Sequence, residues 1–517
     1  MIMRWVDFKD SVRRFWSEYK HQKAGIFGFV LLIMLVILAL SAPFLTRPTI
    51  PKEWQTPQAW VLNPKNAPPS WTNHFSKTSK APEKIFTIND MQTHPVIEKG
   101  QYKIYKLTFT YNMHYDVPPK DIVITGISVS NASSAISIPK LSIIVQRPPE
   151  KGVKNNTVLL VSDTPLPPKA VLQLTYTKTS QNLLLFWLAS NGIINLDVPK
   201  GVPLNIRLQY LNSELLMNNT LYTYYQAMDP MWVLFGKVTD DNGNPLSMKD
   251  ITFSPQPLKG EYDFTVLIKV PAQTQVDLSN FKFAFVGRTY GLLGTDQMGR
   301  PIAVGLLWGL RGALAIGISV AVTIVFVGIF IGVTSAYLGG WADEIIQRIT
   351  EFMVTLPRLP MLILLSLTFG GKITLPQLVA FLVLFGWMGT SKIARSMAFQ
   401  IKQQTYIEAA RALGASTRRV VFRHMVPQLL PYAFAHIALS VPGAILAEAG
   451  LSFLSLTSQN MITWGHMLSD AHSNGATING YWWQVIPPGL AIALVGLIFV
   501  LIGVSLDTVL NPRLKRA

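Results

Sequence analysis

Apolar positions along this chain fall into two regimes with different periods. Long, nearly unbroken apolar runs occur at "GIFGFVLLIMLVILALSAPFL" (Gly25–Leu45) and at Ala313–Tyr337, Phe352–Phe369, Leu375–Ile393, Leu429–Ala447 and Val485–Val509. Each lies near the roughly 20 residues that a helix rising 1.5 Å per residue needs to cross a bilayer. From about Thr46 to Arg300 the pattern changes to short alternating segments: "YKIYKLTFTY", "DIVITGISVS", "AVLQLTYTK" and "EYDFTVLIKV". Period-two patterning rich in β-branched and aromatic residues, bounded by Pro, Gly and Asn, predicts strands. The expected fold is therefore an α-helical membrane protein with six transmembrane helices. A large all-β domain, a sandwich of one or two subdomains, is inserted between the first and second spans. The organisation expected is residues 1–24 as a surface segment, 25–45 as the first span, 46–300 as the β-rich insert, and 301–517 as a five-helix core.

Composition agrees with a membrane class. The chain of 517 residues is 49% hydrophobic and only 14% charged, with a mean hydropathy of +0.30, too apolar for an ordinary soluble protein of this length. It has no cysteine, which excludes disulfides, thiolate catalysis and Cys-ligated zinc. The net charge of +17 raises nucleic-acid binding, but its distribution argues against that. Residues 46–300 hold 25 Lys/Arg and 18 Asp/Glu, evenly spread and without an Arg-rich helix. The remaining excess flanks the apolar runs, as the positive-inside bias requires.

Charge also orients the spans. Lys392–Arg423 carries seven Lys/Arg and one acid, Glu408, whereas Leu451–Gln484 carries no Lys or Arg. The first loop is expected in the cytoplasm and the second outside. Counting back across three spans puts the insert outside and the N-terminus inside; the C-terminal "NPRLKRA" is then cytoplasmic. Leu338–Phe352, with one Arg and three acids, disagrees, but acids contribute little to orientation. Within residues 1–24, Trp5, Phe8, Val12, Phe15 and Tyr19 sit near helical spacing. Both an amphipathic helix on the cytoplasmic surface and a solvated tail fit. The run after it lacks a small-x-small cleavage site, which favours a retained span over a signal peptide. Sequons at Asn131, Asn155 and Asn218 would suit an outside surface but recur by chance.

One cytoplasmic stretch, "YIEAARALGASTRRVVFRHMVP" (Tyr406–Pro427), is helix-forming rather than loop-like. Tyr406–Leu413 are good helix formers, Gly414 suits a left-handed helix end, and Ser416 or Thr417 can cap a second helix. Pro427 then opens the next span. Two short helices at an angle are expected within the loop 394–427; a segment that merely connects rarely needs so much helical sequence.

"EAARALGASTRRVVFRHMVP" closely resembles the signature of binding-protein-dependent ABC-transporter permeases. In that family a Glu-Ala-Ala, a Gly four residues on and a later Pro mark the coupling helix that docks in a groove of the ATPase subunit. The matching positions are Glu408, Ala409, Ala410, Gly414 and Pro427, and Arg411 belongs to the same set. "LGTDQMGR" (Leu293–Arg300), "YLGGWAD", "LPRLPMLILL", "EAGLSFL", "TWGHMLSDA" and "LNPRL" are similar to the C-type subunit of the oligopeptide/dipeptide subfamily, with Pro301 where an Asp is usual. The resemblance spans residues 1–45 loosely and 290–517 well, and leaves about 50–290 uncovered.

It implies a permease subunit of an ATP-driven importer in the plasma membrane, forming half of an oligopeptide pathway, with oligosaccharides as the alternative substrate. The implied partners are a homologous second permease, two ATPase subunits and an extracytoplasmic solute-binding protein. No G-x-x-x-x-G-K-[ST] occurs; the nearest fragment is "FGGKI" (Phe369–Ile373). The chain is thus not expected to be an enzyme, and ATP with Mg would be bound in partner subunits. No cofactor, catalytic residue or metal is expected here, since HExxH, a nucleophile elbow and clustered His are lacking.

Two polar residues in the fifth-span region, His436 and Glu448, are costly in hydrocarbon. They read either as a lining or gate of the pathway or as hydrogen-bonded packing residues. "GIFIG" (Gly328–Gly332) permits close helix approach, and Trp482 and Trp483 suit an interface anchor. A gradient-driven secondary transporter would need mid-span carboxylates, which are nearly absent; a surface sensor would need a cytoplasmic signalling domain, for which the short tails leave no room. The insert is expected to dock the solute-binding protein or to shape the way in.

Overall fold

A computed structural model describes residues 16–99, 101–130, 138–165, 171–175, 177–196, 202–272, 274–458 and 461–510. The expected surface helix over the first residues, the sequon at Asn131 and the basic C-terminal tail lie outside the described residues. The chain divides into two units, 1–56 with 302–517, and 57–301.

In the first unit, helix α1 (Lys23–Leu45) is a single apolar rod. Gly25 and Gly28 let it lie against Leu501, Ile502 and Ser505 of the last helix, where an added Cβ would meet Ser505 at 2.6 Å and Leu501 at 3.1 Å.

The second unit contains the sheets that the alternating pattern implies. Strands β1 (Lys84–Thr87), β2 (Tyr102–Met113), β3 (Asp121–Thr125), β4 (Lys140–Gln146), β5 (Thr157–Pro165), β6 (Leu172–Gln173), β7 (Gly260–Pro271) and β8 (Lys282–Val286) form its framework. One antiparallel sheet has the order β1–β8–β3–β6; a second centres on β2–β7–β4–β5, with Gln92–Thr93 and Ile97–Lys99 pairing to β2. Strands β2 and β7 pair along their whole length, Tyr102 with Pro271 through Met113 with Gly260. Alternate residues then point to one face, and the inner faces meet in an aromatic core. The Phe109 ring stacks on Phe264 at 5.3 Å and takes the edge of Phe283 at 4.8 Å, while Tyr111 stacks on Phe285 at 4.1 Å.

Helices join these sheets, among them α2 (Lys178–Ser190) and α3 (Pro230–Phe235). They are an addition to the all-β expectation: among the described residues of "AVLQLTYTK" only Leu172–Gln173 is strand, and α2 starts at Lys178. Leu183–Leu188 are all buried, so this helix is held by core burial rather than by propensity. The buried Arg147 after β4 binds sheet to helices. It donates to Leu234 O (2.9 Å), Gly236 O and Glu150 Oε2 (3.2 Å), and its guanidinium lies 4.4 Å from the Trp187 ring centre. Glu150 Oε1 accepts from Val238 N (2.7 Å), Thr239 N (2.9 Å) and Thr239 Oγ1 (3.0 Å), so both buried charges are matched.

The first unit resumes at α4 (Ile302–Leu338), followed by α5 (Gly340–Thr355), α6 (Arg358–Thr368), α7 (Leu375–Leu384), α8 (Trp387–Lys402), α9 (Thr405–Ala412), α10 (Thr417–Val420), α11 (Leu430–Phe453), α12 (Trp464–Ser473) and α13 (Trp482–Leu510). Among the described residues four helical stretches are long and apolar enough to span a bilayer: α1, α4, Thr417–Phe453 and α13. The regions of the other two expected spans hold bent helix pairs, α5–α6 by 87° and α7–α8 by 43°. The run Phe352–Phe369, read from the sequence as one span, is interrupted by the sharp bend between α5 and α6. Leu356 precedes Pro357 and is extended, with ψ 129°, because the proline ring disfavours a helical residue before it. Conversely, Pro427 does not begin a separate helix. Helical backbone runs from Thr417 through a π turn at Val421–Met425 and a 3-10 turn at Val426–Leu429 into α11, which accommodates the missing proline N–H.

The tightest packing in this unit is α4 on α8. A Cβ at Gly332 would lie 2.3 Å from Ser391 O, and one at Gly328 would lie 2.6 Å from Thr390 Cβ. Gly332→Val is expected to cost about 1–3 kcal/mol of stability, read as a lowered unfolding midpoint in detergent; an unchanged midpoint would show that the contact is slack. In the second unit, burial raises the Glu83 carboxyl from 4.5 to about 7. Its stabilising neutral form is fully present below pH 4.5 and lost as pH rises through about 7. Glu83→Gln should abolish the corresponding loosening of the β1–β8 pair in hydrogen exchange between those pH values; an identical pH profile in both proteins would count against it.

Candidate functional site: the exposed helix and its socket

Helix α9 carries the sequence-predicted coupling residues. Glu408, Ala409, Arg411 and Gly414 are exposed and Ala410 is half-buried. Gly414 has φ +80°, a left-handed conformation that ends the helix without a Cβ penalty. Ser416 caps the following turn through a bond from Arg419 N to its Oγ at 3.4 Å. Leu413 beside the glycine is 88% exposed, so α9 presents an acid, small residues and an apolar tip on one accessible element.

What holds α9 in place was missed in the sequence. Ile407, fully buried, belongs to a core cluster that also holds Val325, Ile329, Val333, Ala336, Ala394 and Met425. The Arg411 guanidinium lies 5.0 Å from the Tyr337 ring centre. Lys402, at the end of α8, donates to Ala336 O (3.0 Å) and Tyr337 O (2.9 Å), capping carbonyls that the end of α4 leaves unpaired. Arg395 of α8 donates through Nε to Asp343 Oδ1 at 2.7 Å, and Ser335 of α4 donates to the same carboxylate. These bonds tie α4, α5 and α8 into one frame under α9. Their sequence signal was only a basic residue a turn before the signature and an Asp within "YLGGWAD", neither distinctive without the packing.

The two polar residues of α11 are not brought together. They are twelve positions apart on one helix, roughly 18 Å. His436 Nε2 bonds Thr390 Oγ1 at 3.0 Å, and its ring stacks on Tyr432 at 5.2 Å. It therefore joins α11 to α8 near the glycine seam. Glu448 is 4% exposed and accepts from Ser452 Oγ at 2.6 Å; Ser452 bonds Thr457 at 2.7 Å, and Thr457 bonds His466 Nε2 at 2.8 Å. Glu448, Thr457, Thr463 and His466 line a cavity of about 180 Å³ with Ile316 and Leu378. The chain of bonds fastens α12 and the preceding loop onto α11. No group of three or more metal-ligating side chains occurs among the described residues.

The motif "LGTDQMGR" forms a buckle in the second unit. Thr295 Oγ1 donates to Pro64 O (2.5 Å) and accepts from Ala67 N (3.0 Å), and Asp296 accepts from Met298 N and Arg300 N (both 2.9 Å) and pairs with Arg300 Nε. "TWGHMLSDA" is a packing motif as well: Trp464 covers Gly309, where a Cβ would meet it at 2.6 Å, and its indole donates to Leu306 O at 3.1 Å.

Comparison with known proteins places this arrangement. Residues 294–516 match the family described as binding-protein-dependent transport system inner membrane component, and residues 12–69 match the N-terminal TM domain of oligopeptide transport permease C. The chain is 33% identical over 224 residues to the dipeptide transport system permease protein DppC of Bacillus subtilis, covering 43% of this chain and 69% of the relative. It is 33% identical over 225 residues to the oligopeptide transport system permease protein OppC of the same organism, covering 43% and 72%. It is 29% identical over 221 residues to OppC of Mycobacterium tuberculosis (strain H37Rv), covering 43% and 75%. The chain belongs to this family of membrane transport components, within the oligopeptide/dipeptide ABC permeases. It is a multi-pass membrane protein.

Ile407→Ala is expected to release α9 at a cost of about 2–5 kcal/mol, seen as faster hydrogen exchange across Thr405–Ala412 while α4 stays protected. Unchanged exchange would mean that the socket does not hold the helix.

Proposed function

We propose that this chain forms one half of the translocation pathway of an ATP-driven importer of oligopeptides, crossing the membrane six times. Four spans are continuous and two are the bent pairs α5–α6 and α7–α8; both termini face the cytoplasm and the insert faces outside. A second, homologous permease completes the pathway, a solute-binding protein delivers substrate, and two ATPase subunits bind ATP and Mg.

The observation that carries this reading is the combination at α9 of an exposed outer face and a buried anchor. Glu408, Ala409, Ala410, Arg411 and Gly414 form the surface that meets the ATPase, with Leu413 as the apolar contact. Ile407 transfers the displacement of that surface to α4 and α8, because a close-packed socket moves with its plug. The Lys402 cap and the Asp343–Arg395 pair keep α4, α5 and α8 together, so a push on α9 turns the frame instead of bending one helix. His436 and Glu448 act as fasteners between helices that move, with Glu448 beside a cavity close to the pathway.

Glu408→Ala and Gly414→Val are each expected to weaken ATPase docking by about fivefold or more, the scale of losing an interface contact worth over 1 kcal/mol. Membrane insertion should be unaffected. Co-purification of the ATPases and ATP-dependent uptake of a labelled oligopeptide in proteoliposomes measure the two quantities. Normal docking and coupled uptake in both variants would overturn the coupling role.

A further inference from the structure

The second unit contains a charged cleft that neither its sheets nor its buried ion pairs require. Two adjoining spaces of about 330 and 250 Å³ share the walls Lys65, Lys120 and Arg288. Lys80 lines the smaller space, and Asp121 and Asp229 line the larger. Four cations thus face two carboxylates, and the carboxylates are already engaged. Asp229 Oδ2 accepts from the Arg288 guanidinium at 3.1 Å, while its Oδ1 caps Met231 N at 2.9 Å. Asp121 accepts from Ile122 N (2.7 Å), Thr175 N (3.0 Å) and Thr175 Oγ1 (2.6 Å).

The three lysines lack such partners. Among the described residues no ion pair holds the ammonium of Lys65, Lys80 or Lys120; Lys120 Nζ donates only to the backbone oxygen of Lys65, at 3.1 Å. Arg288 is fixed in the cleft wall by its bonds to Pro118 O at 2.8 Å and Asp229 Oδ2 at 3.1 Å. Desolvation in the cleft wall, then the neighbouring charges of Arg288 and Lys65, lower the Lys120 ammonium from its ordinary value against the opposing pull of Asp121 and Asp229. Cations that disfavour one another in a shared concavity are relieved by an anion between them.

The other walls narrow the class of anion. Val61, Met228, Pro230 and Val286 provide apolar surface, and Asn63, Gln173 and Gln181 provide amides. Inorganic phosphate would leave the apolar wall and the amides uncovered. The geometry points to a binding site in the insert for the terminal carboxylate of a short peptide, held by Lys65, Lys120 and Arg288. Its backbone lies against the amides and a side chain against the apolar wall. The site rests on the peptide-import reading for the identity of its ligand, and it gives the insert a direct role in receiving substrate.

The test uses the full chain in nanodiscs of zwitterionic lipid, without ATPases or binding protein, and titrates it calorimetrically with trialanine, trialanine amide and inorganic phosphate. Trialanine should bind, and its amide should bind about tenfold more weakly or worse, the scale of one lost charge-assisted bond. The double variant Lys65→Gln/Lys120→Gln should show a similar loss, while Lys77→Gln, outside the cleft, should bind as the parent does. Unchanged hydrogen exchange of the β2–β7 pair confirms that the double variant is folded. Equal binding of acid and amide, undiminished binding by the double variant, or binding of phosphate alone would each overturn the proposal. Because no ATPase is present, a failure of coupling at Glu408 leaves this result untouched, and intact ATP-driven uptake by the double variant would sink the cleft's role while sparing the importer.

Discussion

The membrane unit depends on how closely α4 and α8 approach. At Gly332 the gap is too small for a single Cβ, which would lie 2.3 Å from Ser391 O. That approach lets Lys402 reach the last carbonyls of α4 and gathers α4 and α8 residues into the cluster that includes Ile407. Small residues serve this purpose in membranes because lipid is as apolar as leucine, so helices associate through packing and hydrogen bonds rather than by escaping water. Polar groups then cap and lock the frame: the Asp343 carboxylate gathers Arg395 and Ser335, and His436 bonds Thr390 one helix over.

The second unit is stabilised by different physics. Its β2–β7 pair brings Phe109 and Phe264 onto one face, and the second sheet supplies Phe283 and Phe285 opposite. Burial of aromatic area dominates there, with Arg147 and Glu150 as a buried ion-paired pin between strands and helices. Such a scaffold is rigid enough to hold charged side chains at the rim of a concavity, which is the condition for a site with defined geometry.

The segment Tyr406–Pro427 shows how far residue chemistry reaches. Its helix, its left-handed glycine and its serine cap follow from local rules, and all three occur at Thr405–Ala412, Gly414 and Ser416. Its anchor does not follow from them. Ile407 is one apolar residue among several, and only the convergence of α4, α8 and the π turn makes it a plug. Glu448 shows the reverse case: cost in hydrocarbon marks it as partnered, but the partners Ser452, Thr457 and His466 arrive from a turn and a helix whose placement no spacing rule supplies.

The sequence by itself determined the membrane class, the apolar runs, the alternating strands and the family, because period, length and motif spacing are properties of neighbours along the chain. It read Phe352–Phe369 as one span, straight across Leu356–Pro357. Tertiary structure decided the 87° bend there, the helices that accompany the sheets, the seam at Gly328 and Gly332, and the gathering of Lys65, Lys120 and Arg288 around one cleft. Those features depend on residues far apart in the chain meeting at close range, and no local rule fixes distances between elements.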